Sequence, residues 1–374
     1  MAYASSNRLP VLLRPKNFQW YWNSAVDPWS LAEEWMKYAD AENEIIEDAY
    51  SQELLQVEID GDWVINLKHQ IQYKKNEKDK QRPIKRVQSE NDRSHVHLRE
   101  TRFSLPITLA ATRSTPSIEG SQTADSDTLN HLRSHSYIAG TYFKSELEKT
   151  SKVFSDVVEA AAEGIMKEGS LLGKTKEAEW LARQLLTVKH YGNGISADWC
   201  HTIPVEIGQM CVYLYTKECF WYKLVNKLLR DISNITIDQL KSIGPFCWLL
   251  QQYLEKNKTR EIITLYRGCE LTDEQRKDYM IKKGTITFTA FTSTSRSREK
   301  AEQFGNTLFI FDCMNKYFPR AAHPCGAFSV DIAAISDFPN EEEFLIESKR
   351  VFQFMRYDYD FKKKKHLIYL MSLG

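Results

Sequence analysis

The run Thr285–Ser295, TITFTAFTSTS, marks where the chain changes its period. Upstream, Phe220, Leu224 and Leu228, then Ile237, Leu240 and Ile243, recur at helical spacing from about residue 151 to 258. Here Ile286, Phe288 and Ala290 alternate with threonines, the pattern of a half-buried strand. Similar β-branched and aromatic runs surround it: EIITLYRG (261–268), TLFIFDC (307–313), AFSVDIAAIS (327–336), EEFLIESKRVFQF (342–354) and HLIYLMSL (366–373). One short helix intervenes, Ser297–Phe304, with Gly305 just past its end. Thr216 and Thr236 are the expected helix N-caps, and Gly244-Pro245 the expected break between helices. Helices followed by a series of strands give an α+β class, with the strands forming the C-terminal lobe.

Bulk properties exclude several function classes. With 374 residues the chain has room for two domains or three. Lys plus Arg equals Asp plus Glu, so no overall field draws it to nucleic acid or to a membrane. The apolar run at the N-terminus, Leu9–Leu13, is broken by Pro10 and too short for a secretory signal, and no stretch reaches the length of a membrane span. All seven cysteines fall between Cys200 and Cys325 without paired spacing. Buried thiols in a reducing compartment, cytoplasmic or nuclear, are expected. Cys200-His201 with Cys211, or His323-Pro-Cys325, lacks the paired ligand spacing of a structural metal site, and no metal is expected.

Residues 17–88 are dense in Trp and Tyr. Residues 89–150 then turn polar (SENDRSHVHLRETRF, TRSTPSIEGSQTADSDT), a composition that reads as a linker with one local strand at Phe103–Ala110. The expected domains are therefore 8–88, a linker 89–150, and 151–374.

Three segments of the C-terminal lobe combine residue types suited to chemistry. Leu265-Tyr266-Arg267-Gly268 ends a strand in an arginine beside a glycine, a charge that can face a phosphate where bare backbone approaches a ligand. Phe291-Thr292-Ser293-Thr294-Ser295 places hydroxyls at a strand-to-helix junction, where helix capping is the plainer use. Ser336–Glu347, SDFPNEEEFLIE, crowds Glu341, Glu342 and Glu343 before an apolar strand. Like charges this close raise one another's pKa. Keeping a strand edge soluble is the bland explanation.

In this order the three segments resemble the Arg-Ser-Glu class of mono-ADP-ribosyltransferases, over roughly residues 195–374. The resemblance implies a mixed β-sandwich that cleaves NAD between nicotinamide and ribose, NAD being a substrate. It implies that Arg267 binds the NAD phosphates, that the Gly268 backbone contacts the nicotinamide amide, and that Ser293 fixes the ribose and supports the catalytic glutamate. Glu343 would then bind the ribose 2′-hydroxyl and stabilise the oxocarbenium, and Glu341 would take a proton from the acceptor. Phe304 is a candidate to stack on nicotinamide, or simply a core aromatic. Glu342 is expected to point away on an extended segment. Glu-x-Glu goes with arginine as acceptor in this class, so arginine-containing target proteins are the implied partners, with Phe338 and Pro339 shaping the turn that meets them. The polymerase class carries histidine where Arg267 stands.

In the head, Gln72 in the hairpin and Arg82-Pro-Ile-Lys-Arg86 resemble the WWE domain, a half-barrel against a helix. Trp22, Trp35 and Glu47 fit its name, with Trp20 an alternative to Trp22, and Glu44–Tyr50 supplies the helix. Some WWE domains bind poly-ADP-ribose. The resemblance then implies that Gln72 and Arg82 touch the ligand and that Trp63, where the family has Tyr, stacks on adenine. Others bind a protein partner. The basic run Lys74–Arg86 also imitates a nuclear-localisation signal. Three functions stand side by side: transfer of ADP-ribose to protein arginine, NAD glycohydrolysis, and a WWE-type adaptor with an inactive transferase lobe.

Overall fold

Strand-forming runs gather into two sheets separated by helices in the computed structural model, which describes residues 18–30, 33–88, 124–259, 263–281, 284–312, 328–336 and 341–373. The expected strand at Phe103–Ala110 and the turn residues Phe338 and Pro339 lie outside these.

The head is a six-stranded sheet in the order β2-β1-β6-β5-β4-β3. Its strands are β1 (Phe18–Asn23), β2 (Trp35–Lys37), β3 (Gln56–Ile59), β4 (Trp63–Asn66), β5 (Ile71–Lys74) and β6 (Glu77–Gln88), and every pair is antiparallel. Helix α1 (Asp40–Ser51) lies on it, burying Ile46 and Ala49 against Trp20, Ile59, Ile65 and Ile84. Trp20 is the tryptophan that pairs with Glu47: its indole N–H donates to the carboxylate at 2.8 Å, and Arg86 holds that carboxylate from the other side. Trp22 lies instead beneath the Arg82 guanidinium, and Trp35 donates to Glu33.

The segment expected to be a linker is partly folded. Residues 124–147 form α2 (Ala124–His135), α3 (Ile138–Tyr142) and a π-turn (Phe143–Leu147), with Leu132, Ile138, Ala139 and Tyr142 in the largest core. Spaced apolar residues in a polar run were enough to dock it. The helical layer continues with α4 (Phe154–Leu171), α5 (Thr175–Thr187), α6 (Val205–Thr216), α7 (Phe220–Arg230) and α8 (Ile237–Lys256). Thr236 caps α8 by accepting from the Gln239 N–H at 3.2 Å, as expected. Thr216 instead ends α6, and Cys219 begins α7. Gly244-Pro245 does not break a helix but lies inside α8. An interior proline costs about 3 kcal/mol. Burial of Leu240, Ile243, Phe246, Trp248 and Leu249 along the same helix outweighs it. Gly244 is required there because the Tyr142 ring would lie 2.8 Å from any Cβ.

The C-terminal sheet has eight strands in the order β11-β12-β9-β7-β10-β14-β13-β8. They are β7 (Thr264–Cys269), β8 (Thr285–Phe288), β9 (Thr292–Ser295), β10 (Thr307–Asp312), β11 (Ser329–Asp331), β12 (Glu343–Ile346), β13 (Arg350–Asp360) and β14 (Lys365–Ser372). Helix α9 (Asp273–Ile281) follows β7, and α10 (Arg298–Glu302) follows β9. The alternating run that signalled the fold is thus two strands with a break at Thr289–Phe291: β8 sits at one edge and β9 far across the sheet. Phe288 and Phe352 from that edge share one core with Phe344 and Ile346 of β12 near the other edge, so the sheet curls over itself into a sandwich. Among the described residues, no helix is long and apolar enough to cross a membrane.

The head is fastened to the helical layer. The Asp60 carboxylate accepts from the Lys176 and Glu177 N–H groups at 2.8 and 3.0 Å, capping α5 from outside. The Trp180 indole donates to Asp48 at 3.1 Å, and Asp40 accepts from the Glu218 N–H at 2.7 Å. Lys217, 1% exposed, reaches Glu44 at 2.8 Å. Burial opposes its charge, but Glu44, Tyr213 and Asp40 together hold its pKa above the ordinary lysine value. Lys217→Met is expected to lower the unfolding free energy by about 3 kcal/mol, because it strands Glu44 and Asp40 without their cation. Adding Glu44→Gln should recover part of that loss. Urea denaturation of both variants checks this, and an unchanged midpoint for Lys217→Met contradicts it.

Candidate active site

Three neighbouring strands assemble the expected residues. Strand β9 lies between β12 and β7, with Ser295 opposite Glu343 and Ser293 opposite Leu345. From β7, Arg267 is 2% exposed, and its Nη1 donates to the Ser293 carbonyl at 2.7 Å. Backbone pairing and this side-chain bond bring Arg267, Ser293 and Glu343 together from residues 76 positions apart at most, a spacing that neither helix nor hairpin could supply.

The glutamate segment is held at each end. The Ser295 hydroxyl donates to the Glu341 carbonyl at 2.7 Å, and the Thr294 hydroxyl to the Phe344 carbonyl at 2.9 Å. The Ser336 hydroxyl donates to Glu343 Oε2 at 3.4 Å. Glu341 and Glu343 are buried, at 1% and 0% exposure. Glu342 points outward, as expected, but for a different reason: its φ of 48° is left-handed rather than extended, and its side chain pairs with Lys300 at 2.6 Å. The turn therefore separates one exposed carboxylate from two buried ones. Of the expected capping serines, Ser297 takes the cap, and Ser295 instead ties down the glutamate segment; Ser336 was not singled out in the sequence, and nothing local marked it.

Gly268 and Phe304 meet behind this strand. A Cβ at Gly268 would fall 2.0 Å from the Ala301 carbonyl oxygen and 2.9 Å from the Phe304 Cβ, so only glycine lets α10 approach β7 this closely. Phe304 is 3% exposed, and its carbonyl accepts from Lys365 at 2.8 Å. Ser297 caps α10 through the Lys300 N–H, and Gly305 takes a φ of +50° just past the helix. Burial pushes the neighbouring Cys269 thiol up to about 12. Among the described residues, no three His, Cys, Asp or Glu side chains gather as a metal site; His323 and Cys325 lie outside them.

In the head, Gln72 and Arg82 face each other across β5 and β6. The Gln72 amide oxygen accepts from Tyr38 at 2.7 Å, and Arg82 donates to the carbonyls of Asn23 and Ala25 at 3.0 and 2.8 Å. Trp63, on β4, lies further along with Lys74 over its ring.

Residues 206–374 match the family model described as NAD:arginine ADP-ribosyltransferase. The C-terminal lobe carries an ADP-ribosyltransferase domain. Residues 18–86 match the WWE domain model. Similar solved structures include ADP-ribosyltransferase HopU1 of Pseudomonas syringae (19% identity, covering 45% of this chain and 77% of that one, TM-score 0.38). The eukaryotic mono-ADP-ribosyltransferase ART2.2 is 20% identical over 59% of this chain and 86% of that one, with TM-score 0.39. The type III effector XopAI from Xanthomonas axonopodis is 14% identical over 69% and 96%, with TM-score 0.44. Among curated proteins, none matches the chain significantly in sequence. The transferase match assigns to the C-terminal lobe a family that uses NAD as substrate.

Gly268→Ala is expected to force α10 off β7 and lower stability by about 2 kcal/mol. Thermal unfolding of the variant checks this; a melting temperature equal to that of the parent protein contradicts it.

Proposed function

We propose that the chain transfers ADP-ribose from NAD to arginine side chains of target proteins, releasing nicotinamide. The observation that carries this reading is the pairing of Glu343 with the Ser293–Ser295 strand that Arg267 clasps, with a second buried carboxylate, Glu341, two residues upstream. In this reading Arg267 anchors the NAD phosphates and the Gly268 backbone holds the nicotinamide amide. Ser293 orients the ribose. Glu343 accepts from the 2′-hydroxyl and stabilises the positive sugar as the glycosidic bond breaks, an electrostatic role suited to a site shielded from water. Glu341 receives a proton from the attacking guanidinium, and carboxylate and guanidinium are matched in shape and charge. Phe304 covers the nicotinamide.

Glu343→Gln is expected to abolish both transfer and NAD hydrolysis, a loss of about 10²–10³ in rate, while the fold survives. Glu341→Gln is expected to stop transfer and spare hydrolysis, because water needs the acceptor base less than arginine does. Time courses with labelled NAD and an arginine-rich protein check both. Parallel loss of the two activities in Glu341→Gln sinks arginine as the acceptor. An inactive parent protein favours the adaptor reading.

For the head we propose binding of ADP-ribose polymers between Gln72 and Arg82, with Trp63 as the stacking face. The support is the side-by-side placement of amide and guanidinium across β5 and β6. Calorimetry of the full chain with short poly-ADP-ribose is expected to show binding that Arg82→Ala weakens at least tenfold. No heat at micromolar ligand assigns the head to a protein partner instead.

A further inference from the structure

The turn that joins β13 to β14 reads Phe361-Lys362-Lys363-Lys364, with Lys365 opening β14, and every residue of the turn is exposed. Phe361 is 83% exposed, and its ring meets Tyr359 edge-on with centroids 4.9 Å apart. A lone exposed aromatic is ordinary. This one stands in a local excess of positive charge that the fold leaves unanswered, although the chain as a whole is neutral. The carboxylates nearby are already engaged. Asp360 accepts from the Lys362 and Lys363 N–H groups at 3.0 and 3.1 Å, and Asp358 pairs with Arg356 at 3.2 Å. Glu302 pairs with both Arg298 and Lys363, and Glu270 accepts from Asn306. The ammonium groups of Lys362 and Lys364 have no hydrogen-bond or ion-pair partner among the described residues. Like charges crowded on one turn repel, and a negatively charged partner relieves that repulsion.

The place of the turn says which partner. Lys363 reaches Glu302 on α10, and Lys365 donates to the Phe304 carbonyl at 2.8 Å just past that helix. From the same short helix Lys300 pairs with Glu342 at 2.6 Å, in the turn that separates Glu341 from Glu343. Helix α10 therefore carries one ion pair towards the hairpin and one towards the glutamate turn. A helix with its side chains is about 10–12 Å across, and an extended chain covers about 3.3 Å per residue, so one bound segment reaches both surfaces. The rim is dipolar, with carboxylates at Glu341–Glu343 and ammonium groups at the hairpin. An anionic lipid surface would need no link between the lysines and the glutamates. That link favours a protein acceptor.

We propose that the Phe361–Lys364 turn docks the acceptor protein and selects arginines that have an acidic segment with an apolar residue nearby in the chain. This rests on the transferase reading. Acceptor carboxylates pair with Lys362 and Lys364, an apolar acceptor side chain covers Phe361, and the arginine is thereby presented to Glu341. A segment of consecutive basic residues meets like charge at the hairpin and binds less well.

The test uses the full chain and two series of peptides, each with one arginine. In the acidic series a cluster of Asp and Glu around a single Leu lies three to nine residues from the arginine, a span of about 10–30 Å. In the basic series lysines replace the acids. Transfer from labelled NAD gives KM, and fluorescence anisotropy without NAD gives binding. The acidic series is expected to show a KM about tenfold lower at low salt, with the gap closing as ionic strength rises. Lys362→Glu combined with Lys364→Glu should level or reverse that preference. Phe361→Ser should raise the acidic-series KM about threefold to tenfold. Both variants should leave acceptor-free NAD hydrolysis unchanged, because they lie outside the buried strands of Arg267, Ser293 and Glu343. A turn with only a structural role would lower the melting temperature and affect both series alike. Equal KM for the two series, or a preference that survives the lysine double variant, overturns the proposal. Lysine-dependent binding to phosphatidylserine vesicles without any peptide preference also overturns it and assigns the turn to a membrane. Failure of the transferase reading is separable: a parent protein that modifies neither series, yet binds acidic peptides through Lys362 and Lys364, keeps the docking surface and loses the reaction. A parent that does neither loses both.

Discussion

The hydrogen bond from the Arg267 guanidinium to the Ser293 carbonyl, buried and 2.7 Å long, is the contact on which the site depends. It joins two strands that share only one backbone pairing, Tyr266 with Ser295. Without it, β7 and β9 would be free to splay, and the glutamate strand, which pairs only with β9 and β11, would move with β9. Charge-assisted bonds of this kind are about twice as strong as neutral ones. The same arginine thus serves structure and charge at once: one nitrogen fixes a strand while the rest of the group lines a pocket.

The break at Thr289–Phe291 is the second constraint. It lets one continuous alternating run contribute to both halves of a curled sheet, and it leaves the Phe291 carbonyl facing the helical layer. Through Tyr215 and Asn226 that layer grips the loop, and through Lys217, two residues after Tyr215, it grips the head. Helix, loop and head are therefore parts of one packed assembly. The head sits against the helices through Asp40, Glu44, Asp48 and Asp60 rather than trailing on a tether, so anything it binds is held at a set position relative to the transferase lobe.

The sequence made legible what local pattern encodes. Alternation in TITFTAFTSTS and the runs after it marked the strands, and the order Arg-Gly, Ser-Thr-Ser, Glu-x-Glu marked the candidate site, because each motif lies within one strand or its turn. Features built from distant residues stayed hidden. Asp60 capping α5 and Lys217 pairing with Glu44 join positions more than a hundred residues apart, and each reads locally as surface charge. Gly244-Pro245 looked like a break because proline propensity is local, whereas the burial that overrides it is not. Residues 124–147 looked like linker because their few apolar residues matter only once the helical core receives them.

The central claim is that this buried Arg-Ser-Glu site moves ADP-ribose onto arginine. Mass-spectrometric site mapping of an arginine-rich protein incubated with the full chain and NAD tests it most directly. The account predicts ADP-ribose adducts on arginine side chains, released by hydroxylamine and absent without NAD. Adducts confined to other residues, or free ADP-ribose with no adduct at all, would contradict it.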